Sequence, residues 1–295
     1  MKHWRGLALA IALGCTTTVP CALAEKGASP SEVRKQAESS LLVTGTVDIE
    51  TNGSVSAVAI NHEDKLPDGV VKYVRANALG WEFEPVERGG RIVRARAPMR
   101  LRVVARKLDE GNYRIALQGV SFERYDDKDP EIVAAISMKP PRYPDDGMRR
   151  GASGTVYLVV KVGRDGSVED VVAEQVNLRV YASEGDMKRL RDVFASNSLK
   201  AARGWSFRIP TQGRAASEPF WTVRVPVSYS LNAQPVEGEG RDYGTWITYI
   251  PGPRTPAPWL DEHTGTGFSP DTLADGGVYM ADGSAPKLRT ALQGG

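Results

Sequence analysis

The 295-residue chain is poor in cysteine: it has two, Cys15 and Cys21, both close to its start. Histidine is nearly as scarce, with His3, His62 and His263 each standing alone. No pair of them, and no histidine with a carboxylate, has the spacing of a metal site. An excess of one charge is also lacking, since 38 Lys and Arg face 36 Asp and Glu. A near-neutral chain is a poor match for nucleic acid, whose phosphates call for a basic surface. Long apolar runs are missing too. The longest near the start, Leu7 to Leu13, is well short of the ~20 residues of a spanning helix.

That run is nonetheless informative. Lys2 and Arg5 precede it, Thr16 to Pro20 weakens it, and Ala22-Leu23-Ala24 is a small-x-small cleavage signal. The pattern predicts a signal peptide over residues 1–24, cut before Glu25, and hence a periplasmic protein. Two alternatives stay open: an uncleaved inner-membrane anchor, and a lipoprotein cut at Ala12-Leu13-Gly14-Cys15 with Cys15 lipidated. Cleavage removes both cysteines, which excludes disulfides and thiol chemistry in the mature chain. It also removes Lys2 and Arg5 and no acid, leaving 36 charges of each sign.

What is present is a repetition. The chain reads GWEFEP from Gly80 to Pro85 and GWSFRIP from Gly204 to Pro210, although it holds only six Trp and six Phe. The surroundings match in order. Leu41 to Ile60 alternates around Asn52-Gly53, a two-residue hairpin signal in which both central residues need positive φ. Val70 to Leu79 then has helical spacing, with Asp68 as expected N-cap and Gly80 as a left-handed C-terminal residue. Trp81 and Phe83 follow, then strands at Arg94 to Val104 and Tyr113 to Phe122. In the second half, Gly154 to Val162 alternates, Asp165-Gly166 turns, and Ser167 to Ala173 returns. Met187 to Arg203 reads as a helix, Gly204 closes it, and Trp221 to Leu231 is the last strand. Pro98 and Pro226 sit at matching places in the last strands. Proline cannot donate to a ladder, so each of these strands has a free edge nearby. An internal repeat of one ββαβ unit explains the whole pattern.

Between these units the chain is polar. Residues 25–40 carry Ser29-Pro30-Ser31-Glu32, a capping-box spacing, and read as a linker or short helix. Residues 125–139 read as a linker, with the acidic cluster Asp126-Asp127-Lys128-Asp129 as its solvated face. Arg94, Arg96, Arg100 and Arg102 share a strand face, expected to pair with Glu82, Glu84 and Glu87. The 64 residues 232–295 hold seven Pro and eleven Gly, enough to suggest low complexity. Aromatics such as Tyr243, Trp246 and Tyr249 argue for a partly ordered tail, lying against the second unit, with Thr245 to Ile250 as an added edge strand.

Tyr143-Pro144, RRGASGTV from Arg149 to Val156, the turn at Asp165-Gly166, AARGWSF from Ala201 to Phe207 and VRVPVSYSL from Val223 to Leu231 fall in a specific order. With them, residues 140–231 resemble the TonB C-terminal domain family. Residues 41–124 look like a degenerate second member that lacks the Tyr-Pro opening. The resemblance implies an α+β fold: two tandem ββαβ domains, each an antiparallel sheet packed on a helix, and a Pro/Gly-rich tail. It implies no enzyme, no cofactor and no metal. The implied function is protein binding in the bacterial cell envelope, by pairing with an extended segment of an envelope protein, a TonB-dependent outer-membrane transporter being the family's partner. The expected contact residues are Tyr143, Pro144, Trp221, Thr222, Val223, Arg224, Val225, Val227 and Tyr229. Three features depart from a transducer: a cleavable leader, no Pro-rich spacer, and a long insertion from Glu174 to Gly185. A membrane-anchored energy transducer for transmembrane transport, and a homodimer joined by edge strands, are the alternatives.

Overall fold

Runs of β-branched residues alternating with polar ones form strands because their stiff side chains pack well on a pleated, half-buried surface. The computed structural model describes residues 27–109, 112–231, 243–260, 268–281 and 285–292. The expected leader and His263 lie outside them. The chain opens with α1 (Pro30–Arg34), β1 (Glu38–Ile49), β2 (Val55–Ile60), α2 (Asp68–Leu79), β3 (Glu87–Arg88), β4 (Arg91–Ile92), β5 (Ala95–Asp109) and β6 (Asn112–Ser121). It continues with β7 (Ala134–Ser137), α3 (Asp145–Arg149), β8 (Gly154–Val162), β9 (Val168–Leu178), α4 (Glu184–Ala202), β10 (Ser206–Arg208) and β11 (Trp221–Tyr229). The tail adds β12 (Ile247–Tyr249) and β13 (Tyr279–Met280).

The fold is mixed α and β. One antiparallel sheet has the order β12-β1-β5-β6, with β2 also on β1; the other has the order β13-β11-β8-β9. Each sheet has its own core. Leu41, Val43, Val74, Trp81, Phe83 and Leu101 cluster beneath α2. Val156, Leu158, Phe194, Trp205, Phe207 and Val223 cluster beneath α4.

Local geometry repeats between the halves. The Phe83 N–H donates to Gly53 C=O at 2.8 Å, and the Phe207 N–H to Gly166 C=O at 2.8 Å. Trp81 meets Phe83 edge-on at 6.5 Å, as Trp205 meets Phe207 at 6.5 Å. Gly53 and Gly166 have φ of 88° and 78°. A Cβ on either would lie 2.1 Å from the carbonyl oxygen of Phe83 or Phe207, so only glycine fits.

Several expectations need correction. The hairpin turns are three-residue loops, not two-residue ones. Glu50 N–H donates to Ser54 C=O and Gly53 N–H to Glu50 C=O, so only the glycine takes positive φ while Asn52 accepts from the Ser54 N–H at 3.0 Å. Gly80 has φ −89° and is not left-handed. The helix closes instead through short bonds from Gly80 and Trp81 back to Asn77 and Ala78. Pro67, not Asp68, is the N-cap of α2. The expected insertion at Glu174 begins as strand, because Glu174–Leu178 continue β9 along β8. The capping box at α1 forms as read.

The tail lies against both sheets. β12 pairs with Glu38–Ser40 and so lengthens β1 beyond its expected start. Ile250 exchanges backbone bonds with Leu178 at the edge of β9. The 3-10 turn Pro270–Thr272 packs against β5, β6 and β11. Farther on, Glu84 N–H donates to Lys287 C=O and Arg289 N–H to Glu82 C=O, which places Leu288 in the first core. The matching segment of the second half, β10, is covered by β7. Among the described residues no helix is long and apolar enough to cross a membrane.

Candidate functional site

The site is built on β11. Its odd-numbered residues, Trp221, Val223, Val225, Val227 and Tyr229, enter the core under α4, while Thr222, Arg224, Pro226 and Ser228 lie on the opposite face. One edge of β11 pairs with β8 along its whole length, from Trp221↔Val162 to Tyr229↔Gly154. The other edge is covered only in part. β13 pairs there through Val223↔Met280 and Arg224↔Tyr279, and Ala281 N–H donates to Thr222 C=O at 2.8 Å.

Backbone groups of an antiparallel strand alternate between its two edges. Thr222 faces outward, so Arg224, Pro226 and Ser228 do too. Pro226 has no N–H to offer, and β13 stops just short of it. No described strand pairs with the outer side of Pro226–Tyr229. In the first sheet the outer neighbour lies on the other side of the proline: Pro98 pairs with Thr46 of β1, and β6 covers β5 from Arg100 onward. Both prolines therefore sit where the outer neighbour ends.

The expected contact side chains are mostly structural. Trp221 is fully buried, its indole N–H donating to Ala215 C=O at 2.9 Å; partner contact through this ring is corrected to core packing. Thr222, Val223, Arg224, Val225, Val227 and Tyr229 are buried as well. The Tyr229 ring stacks on Phe194 at 4.6 Å, and its hydroxyl meets the Ser198 hydroxyl at 2.8 Å. Burial raises its pKa. Tyr143 sits edge-on to both Phe194 and Tyr229 and donates to Ala152 C=O. Pro144 is buried and caps α3. Tyr143 thus ties the chain before α3 to α4 and β11, on the core side of the sheet. Only the backbone of β11, together with exposed Ser228, is left to meet another chain.

The face of the sheet opposite α4 carries charge. The Arg224 guanidinium bonds to Glu174 at 3.0 Å, and Arg254 from the tail reaches the same carboxylate at 2.5 Å. Phe268 covers Arg224 at 4.3 Å. Asp271 accepts from Tyr249 and Ser269 at 2.6 and 2.5 Å, and its backbone carbonyl accepts from Arg102 at 2.6 Å. Two other arginines of that face pair elsewhere than expected: Arg94 with Glu50 and Arg96 with Asp48, both on or beside β1. Cross-strand register puts those acids opposite the arginines, whereas Glu82 and Glu84 face the tail. Asp129 accepts from Arg124 and from the Glu131 N–H, and its pKa is lowered by these bonds. His62 meets the ring of Tyr243 edge-on at 5.9 Å. No group of three or more metal-ligating side chains occurs among the described residues.

Residues 139–231 match the model of the Gram-negative bacterial TonB protein C-terminal. This segment is a TonB C-terminal domain. It runs from just before α3 through the end of β11, and stops at Leu231. It is also similar to Protein tonB2 of Pseudomonas aeruginosa, with 35% identity over 92 residues. The alignment covers 31% of this chain and 29% of that relative, so the chain spans less than a third of its length. No solved structure matches the chain. β7 and β13, which lie beside the TonB C-terminal domain, both fall outside the matched residues. Sequence reading missed β13. Its signal is two strand residues after Gly276-Gly277, too short for periodicity to register.

Proposed function

We propose that this chain is a non-enzymatic, periplasmic protein-interaction module of the cell envelope. It holds an extended segment of a second envelope protein against the outer edge of β11, by backbone pairing. A TonB-dependent outer-membrane transporter is the partner that the family likeness suggests. The observation that carries the reading is the edge itself. β11 belongs to the TonB C-terminal domain, and beyond Arg224 its outer backbone groups have no strand partner among the described residues. The buried side chains are compatible with this mode, because affinity in strand addition comes from the ladder. Residues 41–124, with their matching turn, helix and Trp-x-Phe geometry, are on this reading a diverged second copy. Its equivalent edge, on β5, is closed by β6. The second copy thereby acts as a support and not as a second docking edge.

The test is photocrosslinking in cells from Ser228, an exposed outward position, with captured partners identified by mass spectrometry. Capture of an outer-membrane transporter is the expected result. Capture of nothing beyond the chain itself would remove the reading and favour self-pairing.

A further inference from the structure

The strand on the outer edge of β11 comes from the chain's own tail. We propose that Val278–Ala281 is a resident, exchangeable ligand of that edge, and that its side-chain pattern states what the edge accepts. The inference deepens the docking reading above and rests on it. Val278 and Met280 both insert into the core beneath α4. Tyr279, one residue between them, lies on the opposite face, with its ring 6.1 Å from Tyr125 and its hydroxyl bonded to the backbone of Ala274. Ala281 is buried and supplies the N–H that Thr222 accepts. The edge thus takes an antiparallel segment with apolar residues at two alternate positions and an aromatic residue between them. Charge at those positions is excluded, because all four residues are buried.

The contrast with the first sheet argues for exchange. There β6 pairs with β5 from Arg100↔Ser121 to Asp109↔Asn112. On β11 the ladder is only Val223↔Met280 and Arg224↔Tyr279, and its strand lies outside the TonB C-terminal domain. Beyond it, past Pro226, which has no N–H, Ser228 offers an outward N–H and C=O. An incoming segment can pair there first and extend toward Thr222, replacing the tail residue by residue. A tethered strand of this kind competes at an effective concentration of order millimolar. It weakens any outside segment by the fraction of molecules in which the edge is open.

The experiment uses the full chain and a labelled peptide of residues 276–283 as probe, read by fluorescence anisotropy. The probe does not depend on which envelope protein is the partner. Ala281→Pro removes the N–H given to Thr222, and should bind the probe at least tenfold more tightly than the unmodified chain. A second variant guards against misfolding: Val223→Cys with Met280→Cys, a registered pair whose oxidation ties β13 in place. The reduced form should bind the probe and the oxidised form should not. Equal binding by both forms, or no binding by the reduced form, would overturn the proposal. A transporter segment that bound all variants equally would also overturn it, while leaving the docking reading intact.

Discussion

Gly53 and Gly166, at the level of single residues, hold turns of matching geometry in the two halves. Each combines a positive φ with a carbonyl oxygen that approaches to where a Cβ would be. Gly166→Ala must strain the backbone, at about 1–3 kcal/mol for the left-handed conformation alone, and must also push Phe207 away. We expect a drop of several degrees or more in thermal midpoint, measured by circular dichroism. An unchanged midpoint would show that the turn relaxes freely. Both glycines were legible as turns, because Asn-Gly and Asp-Gly between alternating runs signal hairpins. The loop length was not legible, since it depends on which residue the next strand bonds to. Trp221 illustrates another limit: a tryptophan on an edge strand reads equally as contact or core until the helix above it is placed. The place of Glu174 in β9 is hidden because a buried carboxylate is indistinguishable in sequence from a solvated one until Arg224 and Arg254 are beside it.

At the level of elements, the hairpin, helix, Trp-x-Phe and final strand of each half follow from periodicity within a dozen residues. The strands β12 and β13 do not, because two or three residues among glycines and prolines carry no period. Their position is set by the edges they cover. This difference has a kinetic expression. Backbone hydrogen bonds at the end of a short ladder open more readily than those inside a long one. In native hydrogen exchange the Ala281 amide, bonded to Thr222, should exchange at least tenfold faster than the Val159 amide within β8. Similar protection at the two sites would mean that β13 opens only with the whole sheet.

Over the whole molecule, the tail joins the two sheets through buried groups. Tyr157, Tyr229, Tyr249 and Tyr279 all have phenols whose pKa burial raises, and Asp271 adds to this at Tyr157 and Tyr249. In an unfolded chain they ionise near pH 10. Raised folded values mean that their contribution is complete below that pH. It is lost as the pH rises past it toward the folded values. The urea midpoint should therefore hold between pH 8 and 9 and fall steeply by about pH 11. A urea midpoint that stayed unchanged to pH 11 would mean that these phenols are open to solvent. The route of the tail across both sheets was the least legible feature of all, because no local pattern records which distant surface a segment will cover.

Leu288 sets the order in which the molecule can be completed. The first core closes on it, and Glu82 waits for Thr290, 208 positions later in the chain. At ~5–20 residues per second of synthesis, the first half stands unfinished for about 8 to 34 seconds after its own strands, which end at Ser121, have emerged. The first core can therefore be completed only after the tail has been made. A premature stop after Leu231 would take Tyr243 and Leu288 from the first core and Ile250, Val278 and Met280 from the second, so neither half would close without the tail.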